Sequence, residues 1–187
     1  MAEVNEFGLL ARLLRYPEHG YGRESEQCAA FFTGHCPQVG AYLGGFFEQT
    51  RSLSLEDLQT LYTATFDLNP VCSLELGWHL FGENYERGEL MVKMRAELRR
   101  HGIEESGELP DHLTHALDLL GRMEREDAAA FAGACLFPAM DKMRAAIEGK
   151  SNPFESVLIA ANQLLELRHP RTEAETPTMQ TAFSILN

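Results

Sequence analysis

Apolar side chains recur at every third or fourth position along most of this chain, the spacing that is typical of amphipathic helices. Segments with this pattern lie at about 4–14, 24–34, 38–49, 53–67, 74–81, 84–101, 113–120, 126–148 and 154–165. No segment combines the alternation and the β-branched enrichment that a strand requires. The pattern therefore predicts an all-α, single-domain helical bundle in which sequential helices, joined by short connections, mostly pack antiparallel.

Capping and breaking residues refine this prediction. Ser54 and Asp57 form the pattern of a capping box at the start of the 53–67 helix. The predicted core-facing stripe of that helix comprises Leu58, Leu61, Tyr62, Thr65 and Phe66. In 126–148 apolar residues lie on nearly all sides, which predicts the most buried helix of the bundle, and Pro138 predicts a kink or a split within it.

The segment Glu108-Leu109-Pro110-Asp111-His112-Leu113 places a predicted helix start beside several titratable side chains. Proline suits the first position of a helix, so Pro110 predicts that the helix begins there. The apolar stripe that follows is expected to face the core. On this pattern Asp111, His112 and His115 are turned away from the packed side, and we expect them to be available for binding.

Length and charge restrict the domain organisation and the partners. A chain of 187 residues fits one domain that can bury a core without disulfides or metals. Its 28 acidic and 16 basic residues give a formal charge of -12, which repels a phosphate backbone and favours a basic peptide. We expect the helical domain to span residues 1–167. Residues 168–187 lose the periodicity, which predicts a mobile or partner-dependent tail.

The cysteines and the longest apolar runs indicate a cytoplasmic protein. Cys28, Cys36, Cys72 and Cys135 show no C-x-x-C pair and no zinc spacing, and no signal-peptide pattern is visible. Reduced thiols are therefore expected. The apolar runs are shorter than the roughly 20 residues of a membrane helix, so we expect no direct insertion into a membrane.

Asp111, His112 and His115 are candidates for a metal site on one helical turn, but they lack the further ligands that a catalytic zinc site usually has. They give an alternative function, an all-α metal-dependent hydrolase. The chain lacks H-E-x-x-H, and an acidic residue in a first helical turn is also explained by the helix dipole. Nucleophile-elbow and glycine-rich phosphate-binding motifs are missing as well. We therefore expect a protein that is not an enzyme and that holds neither a metal nor a cofactor.

A second candidate region surrounds Trp78. Trp78 and Phe81 lie near Glu83 and Glu86 in the sequence. Aromatic groups beside carboxylates can receive both the apolar and the cationic parts of a basic amphipathic helix. The alternative is that both aromatic side chains are core residues.

Several motifs, read in order, resemble one protein family. They are Leu61-Tyr62-Thr63-Ala64-Thr65-Phe66-Asp67-Leu68, then Leu80-Phe81-Gly82-Glu83 with Arg87-Gly88, then Glu108-Leu109-Pro110-Asp111-His112-Leu113. An early Arg12-Leu13-Leu14-Arg15-Tyr16-Pro17 fits the opening helix of the same family. From about residue 7 to about residue 166 the chain resembles the nitrate reductase delta-subunit, or molybdenum-cofactor assembly chaperone, family.

The resemblance implies an all-helical cytoplasmic chaperone of anaerobic respiration that is not an enzyme. Members bind the N-terminal, twin-arginine-like segment of the catalytic subunit of a molybdoenzyme and assist insertion of the molybdenum cofactor. The client expected here is nitrate reductase. A monomer and a domain-swapped homodimer both stay open.

We expect the client peptide to bind as a helix in a groove, with its apolar side chains buried and its arginines paired with carboxylates. The predicted peptide-binding residues are Tyr62, Phe66, Trp78 and Phe81 for the apolar side chains, Glu83, Glu86, Glu108 and Asp111 for the arginines, and in addition Asp67 and His112.

Overall fold

The computed structural model describes residues 5–171, Ser184 and Leu186, and it confirms the all-α prediction. The α-helices of the described residues are α1 (Glu6–Leu13), α2 (Tyr21–His35), α3 (Pro37–Thr50), α4 (Leu55–Tyr62), α5 (Leu76–Phe81), α6 (Tyr85–Arg100), α7 (Leu113–Leu120), α8 (Arg125–Phe131), α9 (Phe137–Ile147) and α10 (Phe154–Arg168). Two π-helical turns, Thr63–Asp67 and Ala132–Leu136, follow α4 and α8. The described residues contain no strand, only one isolated β-bridge between Glu75 and His112.

Helix α7 lies at the centre of the bundle. It packs against α1 and α6, and every one of its residues except Asp118 is buried. The prediction that 126–148 is the most buried helix is therefore wrong. Ala129 and Ala145 in that segment are exposed, which costs little because each adds only one methyl group to the surface.

The capping box at the start of α4 is confirmed. The hydroxyl of Ser54 accepts the N–H of Asp57 at 3.1 Å, and the Asp57 carboxylate accepts the N–H of Ser54 at 3.3 Å. The core stripe is also confirmed, with Leu61 half-buried and its other members buried. The backbone widens from α to π after Tyr62, and the N–H of Leu68 donates to the carbonyl of Thr63 at 2.9 Å.

Pro138 coincides with a split in its helical segment. It lies in the first turn of α9, where its missing N–H leaves no helical hydrogen bond unmade. The turn before it, Ala132–Leu136, is π-helical. A proline ring would collide with the carbonyl four residues earlier in an α-helix, and the wider π turn relieves that collision.

An aromatic cluster ties the first helices to the last. The ring of Tyr62 lies 5.0 Å from that of Phe66 and 5.8 Å from that of Phe154, centroid to centroid. Its hydroxyl donates to the carbonyl of Leu14 at 3.0 Å, just after the last residue of α1. Carbonyls at a helix end need such partners, so Tyr62 is a structural donor, and burial raises its pKa well above the ordinary range.

The predicted tail falls mostly outside the described residues. Arg168 ends α10 and binds Glu6 with two hydrogen bonds of 2.8 and 2.9 Å. Beyond Arg171 only Ser184 and Leu186 are described, and Leu186 is buried. In the part of the chain that the structure describes, no helix is long and apolar enough to cross a membrane.

Candidate peptide-binding site

The helix does not begin at Pro110 but three residues later, and the expected exposure of Asp111, His112 and His115 is wrong. Asp111 is 0% exposed, and both histidines are buried. Helix α7 begins only at Leu113, with His112 as its N-cap. The physical reason is a long-range pairing: the N–H of Leu113 donates to the carbonyl of Leu74 at 2.8 Å, which holds the chain before α7 against the segment before α5.

Asp111 caps the start of α5. Its Oδ2 accepts the N–H of Gly77 at 2.9 Å, and its main-chain carbonyl accepts the N–H of Leu76 at the same distance. Both donors belong to the first turn of α5, where no helical acceptor exists. A Cβ at position 77 would lie only 2.7 Å from Oδ2, so this contact requires glycine. Burial raises the pKa of Asp111, and the Gly77 hydrogen bond and the Arg87 charge oppose that shift only in part.

The two histidines hold the backbone on either side of Asp111. His112 Nδ1 lies 2.7 Å from the hydroxyl of Thr114 and caps α7. His115 Nδ1 donates to the carbonyl of Leu109 at 2.9 Å, and its Nε2 accepts the N–H of Ser106 at 3.1 Å. Burial lowers the pKa of His112 to about 3, and the neighbouring His115 adds to that shift.

These bonds give the hydrolase alternative no support. His112 and His115 have three of their four ring nitrogens engaged with the protein, and Asp111 is enclosed. Among the described residues no group of three or more His, Cys, Asp or Glu side chains is placed to hold a metal ion. The arrangement binds loops to helices and presents no open coordination site.

A pocket of about 270 Å³ lies on the outer side of this segment. It is lined by Phe66, Asp67, Pro70, Ser73, Leu74, Glu75, Trp78, Arg87, Glu108 and His112. The structure thus brings together five members of the predicted set, Phe66, Asp67, Trp78, Glu108 and His112. Its wall is formed by the π turn after α4, by the start of α5, by helix α6 and by the loop before α7.

The apolar part of this pocket continues onto an exposed rim. Trp78 is half-buried, and its indole N–H donates to the carbonyl of Pro70 at 2.8 Å, which fixes the ring in the wall. The residues that directly follow Asp67, Pro70 and Glu108 of the lining in the sequence are apolar and exposed: Leu68 is 78% exposed, Val71 62% and Leu109 43%. Several large apolar side chains exposed around one concavity are typical of a binding surface.

The polar part of the pocket is mainly acidic. Asp67, Glu75 and Glu108 contribute carboxylates, and Arg87 contributes the one cation among the described lining residues. Asp67 and Glu108 are exposed, whereas Glu75 is half-buried and is hydrogen-bonded by the hydroxyl of Ser73. Burial raises the pKa of Glu75, and the nearby Asp111 carboxylate adds to that rise.

The other predicted residues lie outside the pocket. Tyr62 is in the aromatic cluster, Phe81 is half-buried against the core, and Asp111 lies behind the wall. Glu83 and Glu86 are exposed, just before α6 and in its first turn. A role for these residues in peptide binding stays a prediction.

Sequence reasoning missed Glu75 and Arg87 as pocket residues. Arg87 belongs to one of the motifs that carry the family resemblance, and that was an available signal. Glu75 gave no such signal, because it faces the pocket only through its bridge to His112. A larger cavity of about 810 Å³ lies elsewhere, between α1, α2, α7, α8 and α10, and its lining contains none of the predicted residues.

Comparisons with known proteins agree with the motif resemblance. A family model described as nitrate reductase delta subunit matches residues 26–159. The nitrate reductase molybdenum cofactor assembly chaperone NarJ of Escherichia coli (strain K12) is 32% identical over 127 residues, 66% of this chain and 54% of the relative. The relative from Escherichia coli O157:H7 gives the same values. The chain therefore spans about half the length of the curated relatives it matches.

A solved structure shares the fold. The crystal structure of a candidate redox enzyme maturation protein from Archaeoglobus fulgidus matches with a TM-score of 0.61, over 89% of this chain and 96% of that chain, at 20% identity. The family model covers most of the chain and includes the motifs at 61–68, 80–88 and 108–113. The resemblance read from those motifs is thereby confirmed, and this chain belongs to the nitrate reductase delta subunit family.

Proposed function

We propose that this protein is a chaperone for a respiratory molybdoenzyme, with nitrate reductase as the expected client. In this proposal it binds the N-terminal segment of the catalytic subunit while the molybdenum cofactor is inserted. It acts in the cytoplasm, catalyses no reaction and keeps no cofactor of its own. The family supports this proposal, since the curated relatives are described as nitrate reductase molybdenum cofactor assembly chaperones.

One observation supports a particular place for this binding: the pocket beside Trp78 combines exposed apolar side chains with exposed carboxylates that form no ion pair within the described residues. The carboxylate of Glu108 makes no hydrogen bond or ion pair within the described residues, and that of Asp67 accepts only the hydroxyl of Thr63 at 3.0 Å. The side chains that hold the fold, by contrast, are enclosed. The pocket is thus open to a ligand that is apolar on one face and cationic on the other.

A basic amphipathic helix has those two faces. Its apolar side chains would cover Trp78, Leu68 and Val71, and burial of that surface would supply most of the affinity, at about 25 cal/mol per Å² before the ordering of the peptide is subtracted. Its arginines would reach Asp67 and Glu108, whose charges set the encounter rate and the selectivity. Added salt should therefore weaken binding without abolishing it.

The test begins with the client. The full-length protein, tagged and expressed in its own cell, should retain a molybdoenzyme catalytic subunit that mass spectrometry identifies. A synthetic peptide with the N-terminal sequence of that subunit should then bind the purified protein in titration calorimetry. The double variant Asp67→Asn, Glu108→Gln should bind this peptide roughly threefold to tenfold more weakly, the range expected for two exposed ion pairs.

A matched control removes two charges elsewhere. Glu26 and Glu104 are exposed and line no described pocket, so the variant Glu26→Gln, Glu104→Gln should bind the peptide nearly as the wild type does. Equal weakening in both double variants would mean that net charge, and not this pocket, attracts the peptide. Failure of the wild type to bind any N-terminal segment of a retained subunit would reject the proposed function.

A further inference from the structure

Arg87 lies in an unusual position for a cation inside an acidic pocket. Its side chain is 22% exposed, and its guanidinium carbon lies 5.7 Å from the centroid of the Trp78 ring, within cation–π range. Its Nε is 3.9 Å from Oδ2 of the fully buried Asp111. Its charge also lowers the pKa of Glu75, though less than burial raises it. The guanidinium thus faces one aromatic ring and two carboxylates.

This guanidinium is nevertheless weakly held. Its Nε is buried without a hydrogen-bond partner, and so is Oδ1 of Asp111. No hydrogen bond from the Arg87 guanidinium is present among the described residues, whereas Arg168 binds Glu6 at 2.8 and 2.9 Å and Arg171 binds Asp141 at 2.8 Å. An arginine that served only as the counter-ion of Asp111 would be expected to form such a paired, two-bond contact.

We propose that Trp78 and Glu75 form a binding site for an arginine side chain, with the buried charge of Asp111 behind it, and that Arg87 occupies this site in the free protein and is displaced by an arginine of the bound segment. The site offers what a guanidinium prefers, an aromatic face and shielded carboxylate oxygens. Arg87 fills it without hydrogen bonds, and an incoming guanidinium would replace its charge beside the buried Asp111, so the exchange costs little. The identity of the natural ligand rests on the proposed function, but the guanidinium site itself does not.

Because Arg87 competes for the site, it lowers the affinity for an incoming arginine without removing the selectivity of the site. The apparent dissociation constant equals the intrinsic one divided by the fraction of molecules in which the site is empty. If Arg87 fills the site nine-tenths of the time, the affinity for an incoming arginine falls about tenfold. This arrangement favours arginine over lysine, since only a planar guanidinium stacks on the ring and bridges two oxygens, and it allows the bound segment to be released.

The single tryptophan of the chain provides a direct measurement, because Trp78 is itself part of the site. The probe is N-acetyl-arginine amide, titrated into the full-length protein while the Trp78 fluorescence is recorded. Arg87→Gln should bind this probe about tenfold more tightly than the wild type. The matched control is Arg99→Gln, which removes the same charge from an exposed position on the same helix with no ion pair in the described residues. It should stay within about twofold of the wild type, since it leaves the occupancy of the site unchanged.

A second measurement follows Arg87 in the wild type and does not require Arg87→Gln. In a ¹⁵N NMR spectrum the Nε–H signal of Arg87, assigned with Arg87→Lys, should shift as the arginine probe is added. N-acetyl-lysine amide should bind more weakly by at least severalfold. Equal probe affinity in wild type and Arg87→Gln, no response of Trp78 in any of the proteins, or an Arg87 signal that does not move would each overturn the inference.

The two proposals fail in different ways. If the N-terminal segment of the catalytic subunit binds well while Arg87→Gln changes nothing, the arginine site is wrong and the chaperone function stands. If the arginine probe behaves as expected and no catalytic subunit binds, the guanidinium site stands and the proposed function is wrong.

Discussion

The two sides of the loop from Ser106 to His112 differ in what their side chains do. On the inner side, Asp111 and His112 are buried and bonded to the helices around them, although His112 also contributes to the pocket lining. On the outer side, Glu108 and Leu109 are exposed, and the Glu108 carboxylate has no bonded partner in the described residues. One short motif therefore serves two purposes, and its most specific residues, the aspartate and the histidine, belong to the fold.

This difference changes how the motif is interpreted. A buried carboxylate that caps a helix and a buried histidine that caps another must be kept for stability, whatever the protein binds. The residues that select a ligand are then expected beside them, where polar groups are unengaged. Mutations on the two sides should separate these roles, since inner changes lower stability and outer changes lower binding.

The largest effect is expected at Phe66, which closes the inner end of the pocket. Its ring packs at 5.0 Å from both Tyr62 and Phe154 and is 3% exposed. Phe66→Ala should lower the free energy of unfolding by about 3–5 kcal/mol, as is usual for buried aromatic side chains. Urea denaturation followed by circular dichroism measures this. Leu68→Ala, two residues away and exposed, should change the unfolding free energy by less than about 0.5 kcal/mol. Similar losses in both variants would contradict the distinction between buried residues that hold the fold and exposed residues beside the pocket.

The second-largest effect on the unfolding free energy is expected at Asp111, and it is compared with Glu108 of the same motif. Asp111→Ala removes the acceptor for the N–H of Gly77 and should lower the unfolding free energy by about 1.5–3 kcal/mol, the range for hydrogen bonds to charged groups. Asp111→Asn should lose less, because its amide oxygen can still accept that N–H. Glu108→Ala should be nearly neutral in the same urea titration. A Glu108 variant as unstable as Asp111→Ala would show that the outer side also supports the fold.

His112 should make the inner side sensitive to acid. Its pKa is lowered by burial to about 3 from an ordinary value of 6.5. Between these two pH values the unfolded chain binds a proton at His112 and the folded chain does not. The free energy of unfolding therefore falls as the pH falls, by up to about 1.4 kcal/mol per pH unit. Asp111 and Glu75, whose pKa values are raised, oppose this loss.

A variant isolates the contribution of His112 to that pH dependence. His112→Asn can still accept the N–H of Thr114 but does not titrate, and the two raised carboxyl groups remain. Its unfolding free energy, measured in urea from pH 7 to pH 5, should fall less steeply with pH than that of the wild type. The difference in slope should approach about 1.4 kcal/mol per pH unit near pH 5, which corresponds to one proton. Identical slopes would mean that His112 is protonated in the folded state, and therefore that it is open to water.

The fold could be predicted because each helix carries its own apolar stripe and caps within a few residues. The capping box of Ser54 and Asp57 is such a local signal, and the structure contains it as predicted. The burial of Asp111 and His112 is not local, because it follows from the pairing of Leu74 with Leu113, 39 residues apart. The pocket likewise gathers side chains from four separate segments, so the motifs named some of its residues but not Glu75 or Arg87.

The smallest effect is expected at Glu83 and Glu86, which are exposed but outside the pocket lining. We expect them to attract a basic segment from a distance. The variant Glu83→Gln, Glu86→Gln should change the unfolding free energy by less than about 0.5 kcal/mol. In stopped-flow fluorescence of Trp78 its association rate should fall about twofold at low salt and match the wild type at high salt, with the dissociation rate unchanged. A faster dissociation would instead place both glutamates in contact with the peptide, and the outer side would then extend from the pocket onto the start of α6.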